Sequence, residues 1–274
     1  MKIITFQAGL GNQIFQYAYY LHLCKIFPNE TFYGFYPKRA LKDHNGLEIC
    51  QWFDIELPKS TNISNFIAYT LFWINKLCWK LQIPHFLTDT DWFRKPNAML
   101  YSGFWQDKQY FLELNKNNFS FKKDLILSET NKHILQKICA TNSVAVHVRR
   151  GDYTNPKVQH IYGNICTLDY YNQAITIVKE KINKPEFFFF SDDPEYIEAT
   201  FKNIKKTIIT WNKGKDSFFD MYLMAYCKNM ILANSTFSCW AAYLNKNQPL
   251  VICPKKWRND RPTPPVILNN WITL

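Results

Sequence analysis

A chain of 274 residues with 47% hydrophobic side chains can bury one large core or two ordinary ones, which excludes an intrinsically disordered protein. Its formal charge of +11 calls for an anionic partner, and the lack of zinc-finger spacing, of an aromatic-basic RNA-binding signature and of a long basic tail argues against nucleic acid. Eight cysteines are scattered without a C-x-x-C, so they read as free thiols in a reducing cytoplasm and not as a disulfide framework or a zinc site.

In chain order, residues 2–6 read as an opening strand and lack the longer apolar core of a secretory signal. The loop Gln7-Ala8-Gly9-Leu10-Gly11 follows, and a helix begins at Asn12 with Ile14, Ala18 and Leu21 on one face. A dinucleotide-binding fingerprint would place a third glycine where Ile14 stands. Glu30 nevertheless sits at the distance of a ribose-binding carboxylate, which keeps an NAD-dependent enzyme open as an alternative.

Residues 63–79 crowd Phe66, Tyr69, Leu71, Phe72, Trp73, Leu77 and Trp79 together, but the stretch is short and is broken by Asn75 and Lys76, against a membrane span. A buried or groove-lining helix is the favoured reading. A helix lying on a membrane surface, with Lys76 and Lys80 at one end, is the other. Asp89-Thr90-Asp91 is a D-x-D, which in some sugar transferases holds a divalent ion; without a clear strand around it, it reads as a surface turn. Mixed signals between residues 35 and 140 assign no topology there.

From residue 142 the pattern becomes regular. Strands are predicted at 144–148, 187–190, 207–210, 230–232 and 250–253, and helices at 168–181, 194–203, 216–227 and 237–245. Short, fully apolar strands alternating with helices imply a parallel sheet covered on both faces, a Rossmann-like unit in an α/β protein. The organisation expected is a first domain at residues 1–141 and a second at 142–274, with a Pro-rich tail from Pro254 that packs across a surface, the first domain being one candidate.

Three strand-end loops carry the chemistry. Val144-Ala145-Val146-His147-Val148 stops at Arg149-Arg150-Gly151-Asp152, Ser191-Asp192-Asp193 follows four phenylalanines, and Asn234-Ser235-Thr236 lies between a strand and a helix. Guanidinium groups neutralise phosphate, a carboxylate accepts from a ribose hydroxyl or a base edge, and Ser/Thr hydroxyls with helix-start amides bind anions. Singly, Asp192 and Ser235 are ordinary helix caps; together on one sheet edge the loops favour a nucleotide. A non-catalytic polyanion-binding protein is a second alternative. No H-x-x-x-H pair and no G-x-S-x-G elbow is present.

The ordered set Gly9-Leu10-Gly11-Asn12-Gln13, Phe15-Gln16-Tyr17-Ala18, His147 to Tyr153, Leu168-Asp169-Tyr170-Tyr171, Phe190-Ser191-Asp192-Asp193, Asp220-Met221-Tyr222 and Ala233-Asn234-Ser235-Thr236-Phe237-Ser238 resembles the bacterial α-1,2-fucosyltransferases of glycosyltransferase family 11. It departs at Cys239-Trp240-Ala241-Ala242, where that family usually shows Trp-Trp-Gly-Ala.

The resemblance implies a GT-B-type pair of Rossmann-like domains facing a cleft, GDP-β-L-fucose as donor, and transfer to the 2-hydroxyl of a terminal galactose with inversion and without a metal. It implies a donor-binding set of Gly11, His147, Arg149, Arg150, Asp192, Asn234, Ser235 and Thr236. Arg149 is the first candidate to stabilise the departing diphosphate and Arg150 the second. Asn12 would orient donor or acceptor, Asp192 the nucleoside. Asp152 is the candidate general base, with two alternatives: it braces Arg149, or a leaving phosphate oxygen takes the proton. The expected location is the cytoplasm, with peripheral contact at the inner membrane surface as an option.

Overall fold

Short strands buried on both faces set the architecture of the computed structural model, which describes residues 1–42, 44–83 and 87–274, and of residues 116 and 152 the backbone. The chain divides into two units, Met1–Lys123 and Asp124–Leu274.

In the first unit, β1 (Lys2–Thr5) is buried along its length and pairs in parallel with β2 (Phe32–Phe35). With β3 (Thr88–Asp89) and β4 (Leu100–Tyr101) the all-parallel order is β2-β1-β4-β3. Helix α1 (Leu10–Ile26) starts ahead of the predicted Asn12, with Gly9 at its N-cap, and buries residues on nearly every face. The shorter α2 (Lys38–Lys42) and α3 (Ile49–Trp52) follow. The longer α4 (Asn62–Leu81) opens on a capping box of Thr61 and Ser64, and α5 (Gln109–Leu112) comes after β4.

Two expectations are corrected here. The aromatic stretch within α4 is not buried: Phe66 is 73% exposed, Trp73 56% and Trp79 80%. The buried stripe is Ser64, Ala68 and Leu71, and Ala68 and Leu71, with the partly buried Ile67 beside them, meet Ile3, Phe35 and Leu100, so one narrow seam holds a helix that is apolar nearly all round. Asp89-Thr90-Asp91 is a surface turn only at its end, where Asp91 lies exposed in a bend; Asp89 and Thr90 are buried. Asp89 is fully buried at the end of β3 and accepts from Tyr19 Oη (2.8 Å), Arg94 Nε (3.1 Å) and Lys95 N (2.6 Å), while Asp91 accepts from Phe104 N (2.7 Å) and Trp105 N (2.9 Å). Both carboxylates organise the chain around them.

The second unit opens with α6 (Glu129–Ala140), which the sequence pattern grouped with the first domain. It belongs here because Asn131 Oδ1 accepts from Trp211 Nε1 at 2.8 Å and its Nδ2 donates to Asn212 Oδ1 at 2.9 Å. Strand β5 (Asn142–Val148) is followed by α7 (Pro156–Tyr162), α8 (Leu168–Lys181), β6 (Pro185–Ser191), α9 (Pro194–Thr200) and β7 (Lys206–Ile209). Then come α10 (Phe218–Tyr226), β8 (Asn229–Ile231), α11 (Thr236–Leu244), β9 (Leu250–Cys253) and β10 (Ile272–Thr273).

All strands of the second sheet are parallel, in the order β7-β6-β5-β8-β9-β10, the doubly wound order of a Rossmann sheet. Val144, Val146, Phe187, Phe189, Tyr171 and Val178 anchor a core on one face. The tail does not stop at the surface: β10 pairs with β9, and Trp271 stacks on Tyr243 at 5.2 Å between ring centroids.

Candidate active site

Register places the site. Val148 at the end of β5 is the partner of Ser191 at the end of β6, so Arg149-Arg150 and Asp192-Asp193 leave the sheet side by side at its carboxyl edge. Arg149 Nη1 pairs with Asp192 Oδ2 at 2.9 Å, and the other carboxylate oxygen accepts from the Arg150 amide at 3.0 Å. Arg150 turns away, pairing with Asp193 Oδ2 at 3.0 Å and lying 3.7 Å from the centroid of the Tyr196 ring. Asp193, not Asp192, caps α9, accepting from Tyr196 N at 3.0 Å. Gly151 leaves room for this pair, because a Cβ there would stand 2.7 Å from Asp192 Oδ2 and the carboxylate would have to shift.

The second loop is tied to the first. Tyr153 Oη donates to the Asn234 carbonyl at 3.0 Å, joining the turn after β5 to the turn after β8. Those two strands are neighbours, and the chain runs outward from β5 on one side and from β8 on the other. This is the switch point at which doubly wound sheets bind ligands. Ser235 caps α11, accepting from Phe237 N at 3.3 Å, and Thr236 is the helix's first residue, so the positive end of α11 opens at this edge. Asn234 is buried, and its amide donates to the carbonyls of Tyr162 (3.2 Å) and Trp257 (3.1 Å), which makes its side chain a clamp on the loop.

His147 lies beneath the arginines, buried, with no partner for Nδ1 among the described residues. Burial first, and then the Arg149 guanidinium, hold its imidazole down at about 4, against the opposing pull of Asp192, so it is neutral at pH 7. Its carbonyl accepts from Tyr171 Oη at 3.0 Å, and the neighbouring Tyr170 Oη donates to Leu232 O at 2.6 Å. The two tyrosines of α8 thus fix the ends of the strands that bear the loops. Asp152 begins a short 3-10 turn, and its side chain lies outside the described part of the structure.

Sequence reading missed a stack behind Tyr153. Its ring lies parallel to Tyr162 at 5.0 Å, Arg258 of the tail lies 4.9 Å over Tyr162, and Asp260 holds Arg258 with two contacts of 2.8 Å. No motif flags Arg258, which reaches this edge only through the fold.

In the first unit the loop that leads into Gly9–Gly11 is held at Gln7 and Ala8 by two fully buried glutamines. Gln13 donates to Ala8 O and Gly46 O at 2.8 Å each and accepts from Glu48 N (2.9 Å) and Ile49 N (3.1 Å). Gln16 accepts from Gln7 N at 2.9 Å and donates to Gly103 O at 3.1 Å. Gly11 is buried within α1, and Asn12, half-buried, accepts from Gln106 Nε2 at 2.9 Å. Glu30 precedes β2, at the amino edge of its sheet, and pairs with the Met1 amino group at 2.9 Å. A ribose-binding carboxylate stands at the opposite, carboxyl edge, so the NAD reading fails on geometry.

A doubly wound sheet with a guanidinium loop at its switch point, preceded by a second parallel α/β unit, defines a GT-B-type fold. Solved structures share it. NodZ α-1,6-fucosyltransferase soaked with GDP-fucose matches with a TM-score of 0.52 at 13% identity, over 89% of this chain and 92% of that one. POFUT1 in complex with GDP matches with a TM-score of 0.52 at 13% identity, over 92% and 97%. At that identity the likeness is one of fold.

The Glycosyl transferase family 11 model matches residues 2–274, and the chain belongs to that family. An α-1,2-colitosyltransferase of Escherichia coli is 32% identical over 91% of this chain and 89% of its own length. The O-antigen biosynthesis glycosyltransferase WbnK of Escherichia coli is 35% identical over 57% of the chain, which spans about half, 53%, of that protein. Galactoside α-(1,2)-fucosyltransferase 1 of Saimiri sciureus is 30% identical over 37% of the chain and 28% of its own length.

Proposed function

We propose that the chain transfers L-fucose from GDP-β-L-fucose to the 2-hydroxyl of a terminal galactose in a glycan, with inversion. The reading rests above all on the Arg149–Asp192 pair, which holds one guanidinium ready at the switch point beside the start of α11. The acceptor oxygen attacks the anomeric carbon opposite the diphosphate, the carbon–oxygen bond to the β-phosphate breaks, and GDP departs with the bonding pair. Negative charge grows on that phosphate, and a fixed cation beside it stabilises the transition state more than the bound donor. The acceptor proton passes to the Asp152 carboxylate or to a phosphate oxygen of the leaving group. Asn12 orients donor or acceptor.

The Arg149 guanidinium and the α11 start take the place of a metal in this scheme. The occupied carboxylates of Asp89 and Asp91 support it, since each already holds backbone amides. We place the reaction in the cytoplasm, which keeps the eight free thiols reduced. A second donor reading, the GDP-linked 3-deoxy analogue colitose, is favoured by the likeness to the colitosyltransferase along 91% of the chain.

The test is GDP release from each donor, with and without lactose, in excess chelator, with the product linkage read by NMR. Galactoside-dependent release from GDP-fucose and an α-1,2 product are expected, and Arg149→Ala is expected to lower turnover about 100- to 1,000-fold without unfolding the chain. Faster release from GDP-colitose selects the second donor. Activity lost to chelator and restored by manganese overturns the metal-free scheme, and full turnover in Arg149→Ala overturns the site.

A further inference from the structure

Helix α4 is built inside out. A 20-residue helix on the surface of a folded unit should turn its apolar stripe inward, yet here the inward stripe is Ser64, Ala68 and Leu71, while Phe66, Tyr69, Trp73 and Leu77 follow one another on the outward face. Nearly half of the exposed large hydrophobic side chains among the described residues lie on this one helix. A shallow cavity of about 350 Å³ opens along it, lined by Asn65, Phe66, Tyr69, Thr70 and Trp73. Such a patch on a water-soluble surface marks a docking face.

Charge and residue type choose the occupant. The helix has no acidic residue and carries Lys76 and Lys80 on its exposed side, Lys76 lying 4.9 Å from the Trp73 ring centroid. Tryptophan and tyrosine favour the headgroup layer, where an apolar body and a polar tip are both satisfied. A second copy is the poorer fit. Pairing α4 with α4 would bring like lysines together in two molecules of +11 each, and the cores of protein interfaces are depleted in lysine. Nor does the helix cross a bilayer: among the described residues none is long and apolar enough.

We propose that α4 lies flat on an anionic lipid surface, with Phe66, Tyr69, Trp73 and Leu77 in the headgroup–acyl boundary and Lys76 and Lys80 on the phosphates. The helix is then a peripheral anchor that belongs to a different unit from the donor loops and does not depend on the donor's identity. Its length of about 30 Å is enough to fix the first unit's orientation on the surface.

The full chain is mixed with vesicles of phosphatidylglycerol and phosphatidylcholine, or of phosphatidylcholine alone, and bound protein is measured by flotation. Capture by the anionic vesicles at least about tenfold stronger than by the neutral ones is expected, weakening as salt is raised. Phe66→Ser with Trp73→Ser, and separately Lys76→Glu with Lys80→Glu, should each weaken capture by about tenfold or more with unchanged thermal midpoints. If the serine variant unsettles the helix, the glutamate variant carries the test alone. The proposal is overturned if anionic vesicles fail to capture the chain, if both variants bind like the parent, or if sedimentation finds a dimer that the serine variant dissociates while vesicles capture nothing.

Discussion

A guanidinium on a flexible stem loses rotamer freedom when it grips an anion, and Asp192 removes part of that loss in advance by holding Arg149 at 2.9 Å. Asp192→Asn deletes the ion pair, and Gly151→Ala drives a methyl into the space 2.7 Å from the same carboxylate oxygen. Each is expected to lower turnover about 10- to 100-fold with little change in thermal midpoint, and parental turnover in both would release Asp192 from the role. The arginines and the carboxylate were legible in the sequence because their chemistry is written in residue type. The brace between them was not, since it follows from the pairing of Val148 with Ser191, a contact between distant parts of the chain. His147 gives a pH signature. Held at about 4 in the fold and near 6.5 when unfolded, it lets the unfolded chain take up a proton that the folded chain refuses. Stability therefore falls as pH drops from about 6.5 towards 4 and levels off below, by an amount on the order of a few kcal/mol. Thermal midpoints at pH 7 and pH 4 should show a smaller acid loss in His147→Leu than in the parent, and equal losses would remove His147 as the cause.

At the scale of the element, α1 separates a structural motif from a chemical one within a single turn. Gln13 and Gln16 are wholly buried and tie three segments, at Gln7–Ala8, Gly46–Ile49 and Gly103, to the helix, whereas Asn12 beside them is half-buried and meets Gln106. Gln13→Ala strands several buried backbone groups and is expected to cost about 3 kcal/mol, read as a lowered thermal midpoint. Asn12→Ala should leave the midpoint within a degree or two and lower turnover instead, and a reversed pattern would exchange the two roles. Sequence showed that the Gly-Asn-Gln run mattered but not which member bears load, because both amides look alike until burial is known. Helix α4 and the Asp89–Asp91 segment escaped for the same kind of reason. A helix such as α4, with large apolar side chains on its outward face and Ser64 and Ala68 on its inward one, gives no pattern of which face is inside, and a two-residue strand such as β3 is too short to carry any.

The chain forms two α/β units, and the second has what a nucleotide-binding domain needs within itself. Its six strands are in the doubly wound order, a continuous core runs beneath α8 and α9, and the tail closes the far edge as β10. This half was legible from the alternation of apolar runs with helices, while the first unit, with strands of two and four residues, gave little to read between its opening helix and residue 123. Both arginine pairs, the Tyr153 link, the α11 start and the Tyr162–Arg258 stack are internal to Asp124–Leu274. If donor affinity resides in these parts, residues 124–274 expressed alone should unfold in a single cooperative transition and bind GDP within about tenfold of the full chain, since the contacts to be lost would be those of the sugar and the acceptor. Arg149→Ala in that fragment should then abolish GDP binding in calorimetry while leaving its unfolding transition in place. A fragment that folds but ignores GDP would move donor recognition to the first unit, and with it the weight now placed on Arg149 to the first turn of α1, which carries Asn12.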